Sequence, residues 1–137
     1  MNIDVRMYVN SDLEGVNKIL KEAFNIKKEN NSYNDCYEIV SLTDEKISGY
    51  LLLTKVYNPV KNIYYGLIDY VCVLSKYRGT GTSDKLIEYA FEVSKKIGLD
   101  YLQLTCAPFR IGGQKLYKRN GFVLRDTNVY RKEILWY

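Results

Sequence analysis

The 137-residue sequence contains no histidine, and it has only three cysteines, two prolines, two methionines and one tryptophan. Cys36, Cys72 and Cys106 are odd in number and widely spaced, so without histidine partners they are not expected to form a zinc site. They are predicted to be reduced thiols packed in the core. Any general base must be a carboxylate, a tyrosine or a water chain, or be absent, because the usual imidazole is missing.

Long apolar runs and basic runs are also missing. No stretch approaches the ~18 apolar residues that a membrane span needs, and the amino terminus lacks the basic-then-apolar order of a secretory signal. The 20 lysines and arginines, against 16 aspartates and glutamates, are scattered and give a net charge of +4. We therefore expect a cytoplasmic protein with neither a membrane nor a nucleic acid as its partner.

The composition that remains is that of a globular protein. Hydrophobic residues make up 47% of the chain and charged residues 26%, and residues 1–137 suit a single domain. The most informative stretch runs from 65 to 96. An apolar strand-like run ending at Val73 meets a glycine-containing turn, and an amphipathic helix follows at once. This order presents free backbone N–H groups and the positive end of a helix dipole to an anion.

The exact residues of this turn distinguish between the possible types of anion-binding loop. A Walker A loop needs glycine five positions after Gly79, where the chain has Asp84, so a P-loop is excluded. A dinucleotide fingerprint is met by Gly79 and Gly81 but fails again at Asp84. Asp100 does lie near the expected ribose-binding distance. A nucleotide-binding α/β protein therefore stays open as the weaker alternative.

A third pattern, Arg/Gln-x-x-Gly-x-Gly/Ala, is met by Arg78-Gly79-Thr80-Gly81-Thr82-Ser83, with a small serine in the last place. A second motif, Asn-x-x-Ala-x-x-apolar-Tyr-x-x-x-Gly-Phe, follows the next predicted strand. Four of its positions agree, namely Leu116, Tyr117, Gly121 and Phe122, and two depart, with Arg110 for Asn and Gly113 for Ala. Two independent motifs in this order closely resemble those of the GCN5-related N-acetyltransferases (GNAT).

The resemblance implies acetyl-CoA as the cofactor. The N–H groups from Thr80 to Ser83 would hold its pyrophosphate, Gly79 and Gly81 would allow close approach, and Arg78 would add charge or brace the loop. The segment Val71, Cys72 and Val73 would pair with the pantetheine arm as an added strand does. One of its N–H groups would also polarise the thioester carbonyl.

The resemblance also suggests two catalytic residues. Tyr117 matches the family's tyrosine near the cofactor sulfur, where its hydroxyl would protonate the departing thiolate. Asp69 lies two residues before the thioester-binding segment and is the candidate base, with partial burial expected to raise its pKa. The alternative for Asp69 is an ordinary solvated or hydrogen-bonded strand carboxylate. Cys106 is interpreted as a core thiol, because no histidine is available to activate it as an acyl-carrying nucleophile.

For the fold, the resemblance implies an α/β mixed sheet of about six to seven strands with helices on both faces and a V-shaped splay between the fourth and fifth strands. Besides the central strand, the sequence predicts strands at 3–7, 36–42, 46–57, 101–106, 122–126 and 129–136. The first helix should open with a capping box from Ser11 to Glu14 and end near Asn25. The last two strands would form a closing hairpin.

We therefore predict an N-acetyltransferase that transfers the acetyl group of acetyl-CoA to a primary amine by direct attack in a ternary complex. A non-catalytic CoA-binding or regulatory module is a further alternative. The acceptor, a small molecule or a peptide, stays open, and the short polar segment 26–35 suggests a lightly walled acceptor site. A homodimer through the closing strands is implied by family habit alone.

Overall fold

Five strands form one mixed sheet in the computed structural model, which describes residues 1–136. The strands are β1 (Ile3–Met7), β2 (Cys36–Thr43), β3 (Lys46–Asn58), β4 (Ile63–Val73) and β5 (Leu102–Gln103), and they neighbour one another in chain order. The helices are α1 (Leu13–Phe24), α2 (Thr82–Lys96) and α3 (Ile111–Arg119). The first four strands are antiparallel and β5 is parallel to β4, because α2 crosses over between them. The predicted fold class is confirmed.

The helices cover both faces of the sheet, as predicted. Strand side chains alternate between faces, so one apolar set of β2 to β4 meets α1 and the other meets α2 and α3. On the α1 face, Ile19 and Val16 are buried against Val40 and Tyr50. On the other face a larger cluster joins the strands to α2 and α3 and comprises Ile39, Leu51, Leu53, Ile68, Val73, Leu86, Ile87, Ala90 and Leu116. Each fully buried leucine or isoleucine contributes about 1.5–3 kcal/mol to this packing.

Local signals at the turns were mostly informative. Asp44 and Glu45 both have positive φ, 48° and 71°, which is the two-residue hairpin expected between β2 and β3. α1 ends in a left-handed Asn25, as predicted. The capping box was wrong in position. A short 3-10 turn, Asn10–Asp12, precedes α1, and the Asp12 carboxylate, rather than the Ser11 side chain, accepts the Val9 N–H at 2.9 Å.

The expected strand count was too high. β5 spans two residues instead of 101–106, and residues 122–136 contain no strand. Their alternating apolar side chains lie in solvent, with Leu124 80% exposed and Trp136 90% exposed. Alternation specifies a strand only where a neighbouring edge can pair with it. In the described chain β5 spans only two residues, and residues 122–136 pair neither with it nor with one another. No helix in the described part of the chain is long and apolar enough to cross a membrane.

Candidate cofactor and catalytic site

The fourth and fifth strands separate shortly after they meet. β4 pairs with β5 at Gly66 and Leu67 only, whereas its pairing with β3 continues to Val73. The pairing of β4 with β5 therefore ends well before β4 does, as the predicted splay requires. Over 68–73, the β5-facing edge of β4 pairs with no described strand, and an extended ligand can bind such an edge as an added strand does.

A β-bulge lies at the point of separation. Leu52 pairs with Asp69 and Tyr50 with Cys72, so two residues of β4, Tyr70 and Val71, stand opposite a single residue of β3. Tyr70 has φ of 58°, a left-handed conformation that costs a non-glycine residue about 1–2 kcal/mol. Its ring packs edge-on against Phe24 of α1, with centroids 5.4 Å apart. No sequence signal we used pointed to this bulge.

The bulge decides which backbone groups of β4 face the splay. The Leu74 N–H donates to the Ser48 carbonyl of β3 at 2.9 Å. Backbone groups alternate sides along a strand, so Cys72 also directs its N–H and C=O to β3, while Val71 and Val73 direct theirs to the splay. Of the three residues predicted to pair with pantetheine, Val71 and Val73 are the two that have the required orientation.

The cysteines carry no disulfide among the described residues. The Cys72 thiol is buried, lies 3.3 Å from the Tyr70 carbonyl oxygen and points to the α1 face. Burial raises its pKa to about 12, so it is a neutral thiol near pH 7. Cys36 and Cys106 are only half-buried. The prediction of core thiols therefore holds fully for Cys72 alone.

The glycine turn before α2 is held by threonine hydroxyls. The Thr80 hydroxyl donates to the Tyr77 carbonyl oxygen at 2.5 Å and lies 2.7 Å from the Thr82 hydroxyl. Gly79 and Gly81 have φ of 75° and 84°, and a Cβ at either position would meet nothing within 4 Å. Glycine is thus needed here for backbone conformation rather than for space.

Free donors follow directly after this turn. The Lys85 N–H donates to the Gly81 carbonyl, so the N–H groups of Thr82, Ser83 and Asp84 precede the first intrahelical hydrogen bond of α2. Together with the helix dipole they form an anion-binding end. Arg78 is exposed beside them. The Arg78 guanidinium makes no hydrogen bond or ion pair within residues 1–136, so its charge is available to a ligand.

Asp84 explains why the turn fits neither nucleotide pattern. Its carboxylate faces the end of α3, where the Arg119 Nε and Nη2 donate at 2.8 and 2.9 Å and the Asn120 side chain donates at 2.8 Å. These hydrogen bonds, those of Arg119 first, hold the pKa of the Asp84 carboxyl below its usual range. The sequence analysis missed both partners, which lie 35 and 36 residues away.

Tyr117 lies in α3, on the face of the sheet that α2 covers. It packs against the same apolar cluster as Val71, and its ring meets Phe122 edge-on with centroids 5.9 Å apart. Burial is the main cause that raises the pKa of its phenol. The phenol therefore keeps its proton at neutral pH. Its hydroxyl has no hydrogen-bond partner within the described chain, which leaves it able to donate to a ligand.

The departure at Gly113 from the resembled motif has a steric cause. A Cβ at Gly113 would lie 3.0 Å from Cys106 Sγ and 3.6 Å from the Tyr117 ring. A 3.0 Å contact forces the sulfur to shift. The missing methyl group therefore makes room for Cys106.

Asp69 lies on the opposite side of the sheet from Tyr117. It pairs with Leu52, whose side chain packs on the α1 face, and cross-strand partners point to the same face. Asp69 is exposed, so the expected partial burial was wrong. Its carboxylate has no hydrogen-bond or salt-bridge partner among residues 1–136. The position beside the bulge leaves it open to a ligand on the α1 face.

A second carboxylate, that of Glu38, lies on the same face as Asp69. Glu38 on β2 pairs with Leu52 on β3, which pairs with Asp69 on β4, so the three side chains form one row across the sheet. Glu38 accepts the Tyr50 hydroxyl at 2.7 Å and lies 3.2 Å from Lys28 Nζ. Burial, followed by this carboxylate, raises the pKa of Tyr50 well above its ordinary value. Glu38 is therefore neutralised by partners, and Asp69 is the free carboxylate of the row.

The segment 26–35 is anchored at its centre. The Asn17 side chain of α1 accepts the Lys28 N–H at 2.9 Å and donates to the Lys28 carbonyl at 3.1 Å. The Lys28 ammonium lies 4.4 Å from the centroid of the Tyr8 ring. The short loop is thus fixed against the α1 face. Its Lys28 ammonium contacts Glu38 of the row that contains Asp69.

A cavity of ≈ 880 Å³ lies away from the glycine turn. α2, β5, α3 and residues 121–129 line it, including Tyr117 and Cys106, and its lining does not include Val71, Arg78 or Asp69. We therefore do not assign the cofactor to this cavity. Among the described residues, no group of three or more Cys, Asp or Glu side chains can hold a metal ion.

Comparison with known proteins gives a consistent result. The family model described as the acetyltransferase (GNAT) family matches residues 6–122. No curated protein sequence matches significantly.

Among solved structures, a transcriptional regulator from Bacillus halodurans C-125 has a TM-score of 0.82 at 22% identity, covering 96% of this chain and 100% of that chain. Ribosomal-protein-alanine N-acetyltransferase from Brucella melitensis biovar Abortus 2308 has a TM-score of 0.83 at 17% identity, with coverages of 98% and 100%. Glucosamine-6-phosphate N-acetyltransferase from Arabidopsis thaliana has a TM-score of 0.79 at 16% identity, with coverages of 96% and 99%. At such identities these similarities concern the fold alone.

Proposed function

This chain belongs to the GNAT family of acetyltransferases, and we propose that it transfers an acetyl group from acetyl-CoA to a primary amine by direct attack in a ternary complex. The observation that carries the proposal is the free edge of β4 next to the glycine turn. The edge of β4 has no strand partner over 68–73 among the described residues. The chain then leads through the glycine turn to the anion-binding end of α2. A ligand with an extended amide-containing arm and a pyrophosphate matches both parts.

The residues present fit acetyl-CoA. The N–H groups of Thr80 to Ser83 would hold the pyrophosphate, with Arg78 adding a positive charge. Val71 and Val73 would pair with the pantetheine amides. When bound, acetyl-CoA supplies the acetyl thioester. The Val71 N–H, which faces the splay, would donate to the thioester carbonyl and so favour attack by the amine.

Tyr117 would act as the general acid. It carries its proton at neutral pH, packs against the same apolar cluster as Val71 and has a hydroxyl free to donate. A phenol in this place would give its proton to the departing sulfur. Asp69 would act as the base from the α1 face, directly or through a water molecule, by removing a proton from the incoming amine.

The acceptor is proposed to be a small-molecule or peptide amine that approaches from the α1 face. Support comes from the unpaired Asp69 carboxylate and from the exposed Tyr70 ring, which lies beside Phe24. These groups favour a positively charged amine over an anionic one. A homodimer is part of the proposal as a prediction from family habit.

Calorimetric titration with acetyl-CoA, with NADH and ATP as controls, tests the proposal. We expect binding of acetyl-CoA alone, lost in Gly81→Asp and retained in Gly81→Asn. Both replacements tolerate a left-handed φ, so the pair isolates the added negative charge. An amine screen follows. Absence of acetyl-CoA binding by folded protein would overturn the proposal, and binding without turnover of any amine would indicate the non-catalytic module instead.

A further inference from the structure

We infer that Arg119, although outside both motifs, is a positioning residue for acetyl-CoA: it holds the Asp84 carboxylate against α3 and so keeps a negative charge off the phosphate-binding end of α2. The inference rests on the function proposed above. Its starting point is an apparent conflict. Asp84 is the third residue of α2, within the turn whose N–H groups would receive a pyrophosphate.

An unpaired carboxylate there would compete with the ligand. Negative side chains are stabilised at helix N-termini by the same dipole and N–H groups that attract phosphate. A free Asp84 would both repel the pyrophosphate and occupy its donors. The chain resolves this conflict through Arg119 and Asn120. Together they provide three hydrogen bonds to the two carboxylate oxygens, between 2.8 and 2.9 Å long.

The positions of these partners are themselves fixed. Arg119 is the last residue of α3, and the Asn120 amide also donates to the Leu116 carbonyl at 2.9 Å. Leu116 is buried in the cluster shared with α2. The guanidinium meets the carboxylate with two parallel hydrogen bonds, a geometry that lysine cannot reproduce. The contact therefore neutralises Asp84 at a defined place instead of leaving it mobile.

The contact also joins the two motifs physically. Tyr117 stands two residues before Arg119 on α3, and Ser83 stands one residue before Asp84 on α2. A purely mechanical role, holding Tyr117 in register with the turn, would require the hydrogen bonds themselves. A role in neutralising charge would not require them once the carboxylate is removed. These two roles make opposite predictions for a double variant.

Calorimetric Kd values for acetyl-CoA provide the test, on wild type, Arg119→Gln, Asp84→Asn and the double variant. We expect Arg119→Gln to weaken binding by about 3- to 10-fold, as a nearby like charge at partial exposure does, and the deficit to shrink in 0.5 M salt. The double variant should bind within about twofold of wild type. Asp84→Asn, which frees the Arg119 charge, should bind as well as wild type or more tightly.

Lys95→Gln serves as the matched control. It removes a cation from an exposed ion pair with Glu92 on α2, and it should leave the Kd unchanged. Unfolding temperatures establish that each variant is folded, and Asp84→Asn tests the inference even if Arg119→Gln fails to fold.

Unchanged binding in Arg119→Gln would overturn the inference, as would a double variant as weak as the single one. Wild-type protein that does not bind acetyl-CoA would instead overturn the proposed function itself.

Discussion

Asp69 and Tyr117 lie on opposite faces of the sheet. Asp69 points to the α1 face beside the bulge, and Tyr117 packs from the α3 side against the cluster that contains Val73. The proposed proton acceptor and the proposed proton donor therefore lie on opposite faces of the sheet whose β4 edge would carry the thioester. An amine entering beside α1 and a thiol leaving beside α3 would each meet one group.

Tyr117→Phe tests the acid. We expect kcat to fall by about 10²–10⁴-fold, because the variant cannot protonate the leaving thiolate. The Kd for acetyl-CoA and the unfolding temperature should stay unchanged, since the hydroxyl has no partner in the described chain. Steady-state kinetics and calorimetry measure these quantities. A wild-type kcat with normal cofactor binding would remove Tyr117 from the mechanism.

Asp69→Asn tests the base. We expect kcat/KM to fall by about 10²-fold at neutral pH, and the deficit to shrink as the pH nears the amine's own pKa of about 10, where the neutral acceptor needs no base. Asp4→Asn, at an exposed carboxylate on β1, is the control. A deficit that stays constant with pH would show that Asp69 binds the acceptor without removing its proton.

The Arg6–Asp12 pair should stabilise the fold in a pH-dependent way. The Arg6 guanidinium, 2.7 and 2.9 Å from the Asp12 oxygens, holds the pKa of that carboxyl below its usual range, first through these hydrogen bonds. A lowered pKa in the folded state contributes stability above the unfolded value of about 3.9, and the contribution is lost as pH falls through the folded value.

Asp12→Asn should therefore lower the free energy of unfolding by about 1–3 kcal/mol at pH 7. The difference from wild type should narrow as the pH falls below about 4, where the unfolded carboxyl takes up its proton first, and it should vanish once the pH lies below the lowered pKa of the folded state. Urea denaturation at pH 7 and pH 3 measures both. An equal difference at the two pH values would contradict the ion pair as the cause.

The alanine of the resembled motif can be restored at position 113, first alone and then together with a smaller residue at position 106. Gly113→Ala should gain little or no stability, because its helix-propensity gain of about 1 kcal/mol is offset by the contact with Cys106. In a Cys106→Ala background the same substitution should stabilise the protein by about 1 kcal/mol. A double-mutant cycle of unfolding free energies gives the coupling. Additive effects would mean that Cys106 does not constrain position 113.

Features set by neighbouring residues could be predicted from the sequence. The spacing of Gly79 and Gly81 located the tight turn before α2, because the left-handed φ values there require glycine. The periodicity of apolar residues located α1 and α2. The contact from Asp84 to Arg119 could not be read in this way, since it joins side chains that only tertiary packing of α3 brings together.

Two features that depend on strand pairing could not be predicted from neighbouring residues alone. The alternation of residues 122–136 is typical of strands, but it carries no information about whether an edge is available for pairing. The bulge at Tyr70 is equally invisible, because the residues around it read as a continuous apolar strand. Its existence depends on the register between β3 and β4, which is set by the turns and faces of both strands.

The one extra residue of the bulge at Tyr70 determines which face of the sheet each later side chain of β4 points to. Side chains of a strand alternate between two faces. If the same residues paired with β3 without the bulge, the Cys72 thiol would move to the α2 and α3 face, and the N–H groups of Val71 and Val73 would turn towards β3. The edge available to a ligand would then be offered by different residues, in a different order. Deleting Tyr70, by contrast, would leave Cys72 opposite Tyr50 and Val73 opposite Gly49, so these residues would keep their orientation and only the bulge would be lost.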